Sequence, residues 1–182
     1  NQQGATGGTC STVDPDTDDT FTYSLVSGAG DGNNSAFYIE GDVLKATTSF
    51  DYETTNTATI RVCSTDSGGL SLEKTFTISV SNFNEPPTDI ALSTTTINEN
   101  AGAGALVGQL TTSDPDDSSF GTTFTYALVA GSGDTDNGLF EISDDKLLTR
   151  RSFDYEADSS YSIRLRTTDW PGFSYEEVFT ID

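Results

Sequence analysis

The chain has 182 residues, and its 8 lysines and arginines against 29 aspartates and glutamates give a formal net charge of −21. Nucleic acids and anionic membrane surfaces attract positive charge, so neither is expected as a partner. No apolar run approaches the roughly 18 residues of a membrane-spanning helix, which argues against membrane insertion. The sequence contains no histidine, so a Ser-His-Asp or Cys-His catalytic arrangement cannot form within it. We therefore expect a protein that is not an enzyme.

The predicted elements, taken in chain order, are short β-strands. Apolar and polar residues alternate in five segments, each bounded by Gly, Asp, Asn or Ser: Phe21–Leu25, Ile60–Val62, Phe76–Val80, Phe124–Leu128 and Ile163–Leu165. About seven short strands per hundred residues are typical of an antiparallel sandwich. Two glycine-rich segments, Gly28–Asn34 and Gly131–Gly138, lie between strands, and their composition predicts hairpin loops.

Several motifs occur twice at a nearly constant spacing. Phe-Asp-Tyr-Glu begins at Phe50 and again at Phe153, 103 residues later, and Asp-Pro-Asp begins at Asp14 and again at Asp114, 100 residues later. A period of this length corresponds to a whole domain. We therefore predict repeat one over 1–81, a short linker over 82–87 that two prolines stiffen, and repeat two over 88–182.

Repeat two begins with a leading segment, Pro87–Asn100, that has no counterpart ahead of Gly4. Repeat one is therefore expected to lack its leading strand. Acidic motifs stand at both ends of the chain, and this arrangement is the one expected of a fragment from a longer array.

The motifs and their order resemble those of cadherin repeats. The order is Ile-Asn-Glu-Asn (Ile97–Asn100), Asp-Pro-Asp, Phe-Asp-Tyr-Glu, a strand ending in Thr-Asp, and the linker Asn-Phe-Asn-Glu-Pro-Pro. The form is similar to the bacterial cadherin-like repeats of long surface and secreted proteins. This resemblance implies an all-β chain of two tandem antiparallel Greek-key β-sandwiches with immunoglobulin-like architecture. It also implies an extracellular or cell-surface location and calcium bound at the junction between repeats.

The resemblance assigns calcium ligands to three segments. Side-chain and backbone oxygens of these segments would form the junction site: Asp51, Glu53, Phe83, Asn84, Glu85, Pro86, Asp114, Asp116 and Asp169. Calcium prefers such mixed carboxylate, amide and carbonyl oxygen ligands. The linker has no lysine or arginine to offset the negative charge. Asn82 and Glu85 depart from the family, which generally has Asp at both positions.

Two further groups of acidic residues would be half-sites for neighbouring repeats. They are Asp14, Asp16 and Asp66 at one end, and Glu99, Asp154 and Glu156 at the other. The partners implied are neighbouring cadherin-like repeats, from the same longer chain or from other copies.

The cysteines Cys10 and Cys63 both lie in repeat one, at positions that repeat two fills with Leu110 and Arg166. Their joint occurrence favours a disulfide, which is common in extracellular proteins. Strand parity opposes it, because Ile60 and Val62 would face the core and turn Cys63 outward. The sequence leaves both alternatives open.

Two classes of function fit these observations. The first is a calcium-rigidified spacer in a bacterial surface adhesin or filament. The second is a binding module for polysaccharide or for other copies of the chain. Trp170 bears on the second, because repeat two has Trp, Pro and Phe where repeat one has Ser67–Leu70. The indole ring would either stack on a sugar or pack against the neighbouring linker.

Overall fold

A computed structural model describes residues 4–15, 18–116 and 123–182. The chain divides into two compact units, Asn1–Phe83 and Asn84–Asp182. The division falls within the segment 82–87 predicted as a linker. Within the described ranges, no helix has the length and apolar character needed to cross a membrane.

Unit 1 contains two antiparallel three-stranded sheets. One sheet has the order β1-β4-β3 and the other the order β2-β5-β6. The strands are β1 (Thr6–Thr9), β2 (Thr22–Leu25), β3 (Phe37–Glu40), β4 (Val43–Ala46), β5 (Thr57–Thr65) and β6 (Ser71–Ser79).

Unit 2 has the same arrangement with one more strand. Its sheets have the orders β10-β11-β8-β7 and β13-β12-β9. The strands are β7 (Asp89–Leu92), β8 (Leu106–Ser113), β9 (Thr125–Leu128), β10 (Phe140–Ser143), β11 (Lys146–Thr149), β12 (Tyr161–Thr168) and β13 (Ser174–Ile181). The additional strand β7 pairs with β8, from Asp89 opposite Ser113 to Leu92 opposite Leu110. The predicted fold class, antiparallel β-sandwiches, is confirmed.

Each unit has its own apolar core between its two sheets. In unit 1 the core contains Ile60 and Phe37, and the ring of Phe50 stacks on Phe37 with centroids 5.3 Å apart. In unit 2 the ring of Phe153 stacks on Phe140 in the same way, at 5.4 Å. The phenylalanine of each Phe-Asp-Tyr-Glu motif therefore anchors the motif to the core and holds its acidic residues at the surface.

The glycine-rich segments do not form hairpin loops, so that prediction was wrong. Each one leads from one sheet to the other, as between β2 and β3 in unit 1. The reason is a set of hydrogen bonds that the sequence pattern did not reveal. The Asn34 side chain donates to the Val26 carbonyl and accepts from the Arg61 backbone N–H, each at 2.9 Å. Asn137 makes the equivalent pair of bonds in unit 2.

Of the two alternatives left open for the cysteines, the disulfide is not the one found, because Cys10 and Cys63 are both free thiols. Cys10 packs against the core that contains Val62. Cys63 follows Val62 on β5, so its side chain lies on the opposite face of the sheet. There it is buried, with Ser24 and Glu73 as its cross-strand neighbours. The two thiols are therefore separated by the sheet.

Candidate metal centre

The ends of two strands in unit 2 place acidic residues close to the first residues of that unit. Asp114 directly follows β8, and Asp169 directly follows β12. These strands belong to different sheets, and a hydrogen bond of 2.7 Å between the hydroxyls of Thr112 and Thr167 joins them just before they end. The two strand ends are thereby held together at one end of the sandwich.

Hydrogen bonds connect these acidic residues to Asn84 and Glu85. The Glu85 backbone N–H donates to Asp116 Oδ2 at 2.6 Å, and the Asn84 amide nitrogen donates to Asp169 Oδ2 at 2.6 Å. The Asp116 backbone N–H donates to Asp114 Oδ1 at 2.8 Å, which closes the Asp-Pro-Asp turn. These hydrogen bonds link five of the six junction ligands that were predicted within unit 2: Asn84, Glu85, Asp114, Asp116 and Asp169.

Burial distinguishes this group from an ordinary acidic surface. Asp116 is 0% exposed and Asp169 is 6% exposed. Asp116 Oδ1 and Asn84 Oδ1 are buried and have no hydrogen-bond partner among the described residues. No described lysine or arginine forms an ion pair with Asp116 or Asp169. A buried carboxylate without a cation is costly, so these oxygen atoms fit a hard divalent cation such as calcium.

The remaining ligands predicted from the linker are exposed. Phe83, in unit 1, has a side chain that is 68% exposed, and Pro86, in unit 2, is also exposed. Their predicted contribution was a backbone carbonyl, and that assignment stays a prediction.

Asp51 and Glu53 lie at the surface of unit 1, with carboxylate oxygens within 4.8 Å of each other. Asp51 also stabilises the turn of its motif, because it accepts hydrogen bonds from the Glu53 N–H at 3.0 Å and from the Thr54 hydroxyl at 2.9 Å. The hydrogen bond from Thr54 is the main cause that lowers the pKa of the Asp51 carboxyl below its ordinary value. Asp51 is therefore ionised and still has free acceptor capacity.

One predicted half-site gains a residue that the sequence analysis missed. In unit 1, carboxylate oxygens of Asp14, Asp19 and Asp66 lie within 4.8 Å of one another. Asp19 also accepts a hydrogen bond from the Ser67 hydroxyl. The sequence offered only the adjacent pair Asp18-Asp19 as an indication, and this pair is not part of a motif that recurs in repeat two. Asp16, predicted for this group, lies outside the described residues.

The other predicted half-site is in unit 2. Glu99, Asp154 and Glu156 are exposed, and their carboxylate oxygens lie within 4.8 Å of one another. The Glu156 backbone N–H donates to Asp154 Oδ1 at 3.1 Å, as the corresponding groups do in unit 1. The three residues come from the leading segment and from the second Phe-Asp-Tyr-Glu motif, as predicted for ligands of one cation.

Trp170, the predicted ligand contact, is 72% exposed, and Phe173 nearby is also exposed. The two alternatives for the indole, stacking on a sugar and packing against the neighbouring linker, both stay predictions.

Comparison with known proteins relates this chain to cadherins. Human cadherin-24 is 34% identical over 112 residues, which cover 56% of this chain and 13% of cadherin-24. Mouse cadherin-24 is 33% identical over 112 residues, which cover 14% of that protein. The chain therefore spans only a small part of the length of these relatives. No family model matches it.

Solved structures show the same fold. Human protocadherin-24 EC1-2 matches with a TM-score of 0.71 at 21% identity, over 99% of this chain and 89% of that one. Extracellular cadherin domains 3-6 of protocadherin gamma B2 match with a TM-score of 0.64 at 19% identity, over 99% of this chain and 42% of that one. At this identity, the likeness concerns the fold alone. The chain is therefore similar in sequence to part of cadherin-24 and similar in fold to extracellular cadherin domains.

Proposed function

We propose that this chain is an extracellular cadherin-like repeat module that binds calcium and serves as a rigid spacer. The observation that carries the proposal is the burial of Asp116, whose carboxylate is 0% exposed and whose Oδ1 atom has no hydrogen-bond partner in the part of the chain that the structure describes. A single buried carboxylate of this kind is destabilising unless a cation offsets its charge. The adjacent Asn84–Asp169 contact supplies a second carboxylate and an amide oxygen at the same place.

The residues that would hold calcium in unit 2 are Asn84, Glu85, Asp114, Asp116 and Asp169. Bound calcium would supply positive charge and oxygen coordination. The chain itself positions the ligands: the Glu85 N–H fixes one oxygen of Asp116, and the Gly172 N–H donates to Asp169 Oδ1 at 3.0 Å. These bonds orient each carboxylate before the cation arrives, so little side-chain entropy remains to be lost on binding.

The spacer role depends on the linker over 82–87. We propose that Asp51 and Glu53 complete the calcium site, so that the cation limits motion of this linker. A rigid linker repeated along an array suits a stalk that holds a binding domain away from a cell surface, as in an adhesin or filament. A bacterial source stays a prediction, since the curated relatives reported above are human and mouse proteins.

Calcium titration by calorimetry tests the proposal. We expect saturable binding with Kd on the order of 10⁻⁴–10⁻³ M, the range of extracellular calcium modules. Asp169→Asn should weaken calcium binding, whereas Asp134→Asn should not, because Asp134 accepts a hydrogen bond from the backbone N–H of Gly131 in a surface loop.

Small-angle scattering in calcium and in EDTA then tests the spacer role. Absence of heat at millimolar calcium would refute the site, and superimposable scattering curves would refute the spacer.

A second candidate function is adhesion through the exposed aromatic pair Trp170 and Phe173. One structural neighbour, protocadherin gammaB7 EC3-6, is described as a cis-dimer. We propose that copies of this chain associate through these rings. Sedimentation of the wild type and of Trp170→Ala across a concentration series tests this, because only the wild type should associate. A glycan array with the same two proteins tests the polysaccharide alternative.

A further inference from the structure

The segment before β3 contains the triplet Asn33-Asn34-Ser35. Its residue types are those of an acceptor for N-linked glycans, which is Asn, then any residue except Pro, then Ser or Thr. No other asparagine of the sequence begins such a triplet. The equivalent residues of unit 2 are Asp136-Asn137-Gly138, so both defining positions differ there. The two units therefore show what this segment needs for folding and what it carries in addition.

Hydrogen bonds fix Asn33 to β5 through its backbone and its side-chain oxygen. The Asn33 N–H donates to the Thr59 carbonyl, and the Thr59 N–H donates to Asn33 Oδ1, each at 2.9 Å. In unit 2, Asp136 makes the same pair of bonds with Ser162, at 3.0 Å and 2.8 Å. A carboxylate oxygen thus fills the same role, so the fold needs a hydrogen-bond acceptor at this position and does not need an amide nitrogen.

The amide nitrogen of Asn33 remains accessible. The Thr59 N–H identifies the oxygen of this amide, because a donor requires an acceptor opposite it. The remaining atom, Nδ2, has no hydrogen-bond partner within the described ranges and is not buried. Asn34 differs, since its nitrogen donates to the Val26 carbonyl and its oxygen accepts from the Arg61 N–H. Asn33 is therefore the asparagine of this pair whose nitrogen is available for modification.

The side chain of Ser35 is also not needed by the fold. Ser35 is exposed, and its backbone carbonyl accepts a hydrogen bond from the Thr47 hydroxyl at 3.2 Å. Gly138 at the equivalent position of unit 2 has no side chain at all. The Asn33 amide nitrogen and the Ser35 hydroxyl thus occur together in unit 1, and unit 2 folds in the same way without either.

We propose that Asn33 is an acceptor site for an N-linked glycan. The inference rests on the extracellular location proposed above, because such glycans are typical of surface loops in secreted proteins. The co-reactant is an oligosaccharide carried on a lipid diphosphate, which the exporting cell supplies together with the transferase.

The transfer leaves the hydrogen bond of Asn33 to β5 in place. Asn33 Nδ2 forms a bond to C1 of the first sugar, and the bond from C1 to the diphosphate oxygen breaks. The lipid diphosphate leaves with the electron pair, and one Nδ2 proton goes to a base of the transferase. Asn33 Oδ1 remains a carbonyl oxygen that accepts from the Thr59 N–H, so unit 1 keeps its fold with the sugar attached.

The full chain, secreted from cells that attach N-linked glycans, tests the proposal. Mass spectrometry should find one glycan per chain, on the peptide that contains Asn33. Ser35→Ala should lose the glycan, although it keeps Asn33 and the backbone carbonyl that Thr47 contacts, and Ser35→Thr should retain it. A secreted wild-type chain without a glycan would overturn the proposal, and so would a glycan that persists in Ser35→Ala.

Unit 2 offers a matched gain of the site. Asp136→Asn combined with Gly138→Ser reproduces the triplet there, and a Cβ atom at Gly138 would meet nothing within 4 Å. This double variant should carry a second glycan, because the backbone holds both segments alike. Its absence would overturn the argument from equivalent geometry.

Hydrogen exchange tests the geometry at Asn33 itself. The Thr59 amide should be equally protected before and after an amidase removes the glycan, and faster exchange in the glycosylated chain would overturn the inferred attachment at a free Nδ2. Calcium calorimetry on the chain without glycan measures the metal site separately. Failure of the calcium proposal and failure of the glycan proposal are therefore distinguishable.

Discussion

Replacement of Asp116 by asparagine should uncouple unit 2 from calcium while the fold stays intact. The Asp116 carboxylate is fully buried and accepts a hydrogen bond from the Glu85 N–H through Oδ2, while its Oδ1 has no partner within 4–15, 18–116 and 123–182. Asparagine has nearly the same shape, and its amide oxygen can accept the same hydrogen bond. The change therefore removes a negative charge and one ligand oxygen, and little else.

Linkage gives the size of the effect. A ligand that binds only the folded state at one hundred times its Kd stabilises that state by about 2.7 kcal/mol. For a domain of this size, 1 kcal/mol shifts Tm by about 4–8 °C, so calcium should raise the Tm of the wild-type unit by about 10–20 °C. If Asp116→Asn weakens binding about a hundredfold, the same calcium concentration equals the new Kd, and the gain falls to about 0.4 kcal/mol.

Differential scanning calorimetry in calcium and in EDTA measures this difference. Without calcium, Asp116→Asn should be at least as stable as the wild type, since it removes an uncompensated buried charge. Asp134→Asn is the control, because it also removes one charge from unit 2 and should keep the full calcium response. An equal rise in Tm for Asp116→Asn and the wild type would show that Asp116 is not a ligand.

Three further predictions concern the scaffold. Gly30→Ala and Gly69→Ala place alanine at nearly the same φ, +90° and +89°, but only at Gly30 would the new Cβ atom collide with a neighbour, the Thr75 side chain. In urea denaturation, Gly69→Ala should lower the free energy of unfolding by about 1 kcal/mol because of its φ. Gly30→Ala should lower it by about 1 kcal/mol more because of the collision. A hydrogen bond from Arg166 is the main cause that lowers the pKa of the Glu176 carboxyl below its usual value of 4.5. Its stabilising contribution is therefore present at neutral pH and lost as pH falls through the lowered pKa, so the stability difference between Glu176→Gln and the wild type should vanish in acid. Burial raises the pKa of the Cys10 thiol, so Cys10 should react with a thiol reagent more slowly at neutral pH than free cysteine does. The Cys63 thiol is buried and should react only when the protein unfolds. A mass consistent with a disulfide under non-reducing conditions would contradict both expectations.

The fold class could be predicted from the sequence because apolar and polar residues alternate along a half-buried strand, and this alternation is visible within a few consecutive residues. The segment around Ile60 shows this, since Ile60 and Val62 of β5 are buried in the core as the alternation predicted, although Cys63 on the opposite face is buried as well. The repeated Phe-Asp-Tyr-Glu motif predicted two tandem repeats, and its two phenylalanines form equivalent stacked pairs in the two cores. The predicted association of Asp114, Asp116 and Asp169 came from the order of motifs, which a resemblance to a family can supply.

The tertiary structure decided the features that depend on contacts between distant segments. The glycine-rich segments cross between sheets because asparagine side chains bond to β5 and β12, and composition alone does not show such bonds. Cys10 and Cys63 lie on opposite faces of one sheet, and Asp19 joins Asp14 and Asp66 only after the chain has folded. A local pattern records which side of a strand meets the core, whereas the identity of the neighbour across the core depends on how strands far apart in sequence pair and pack.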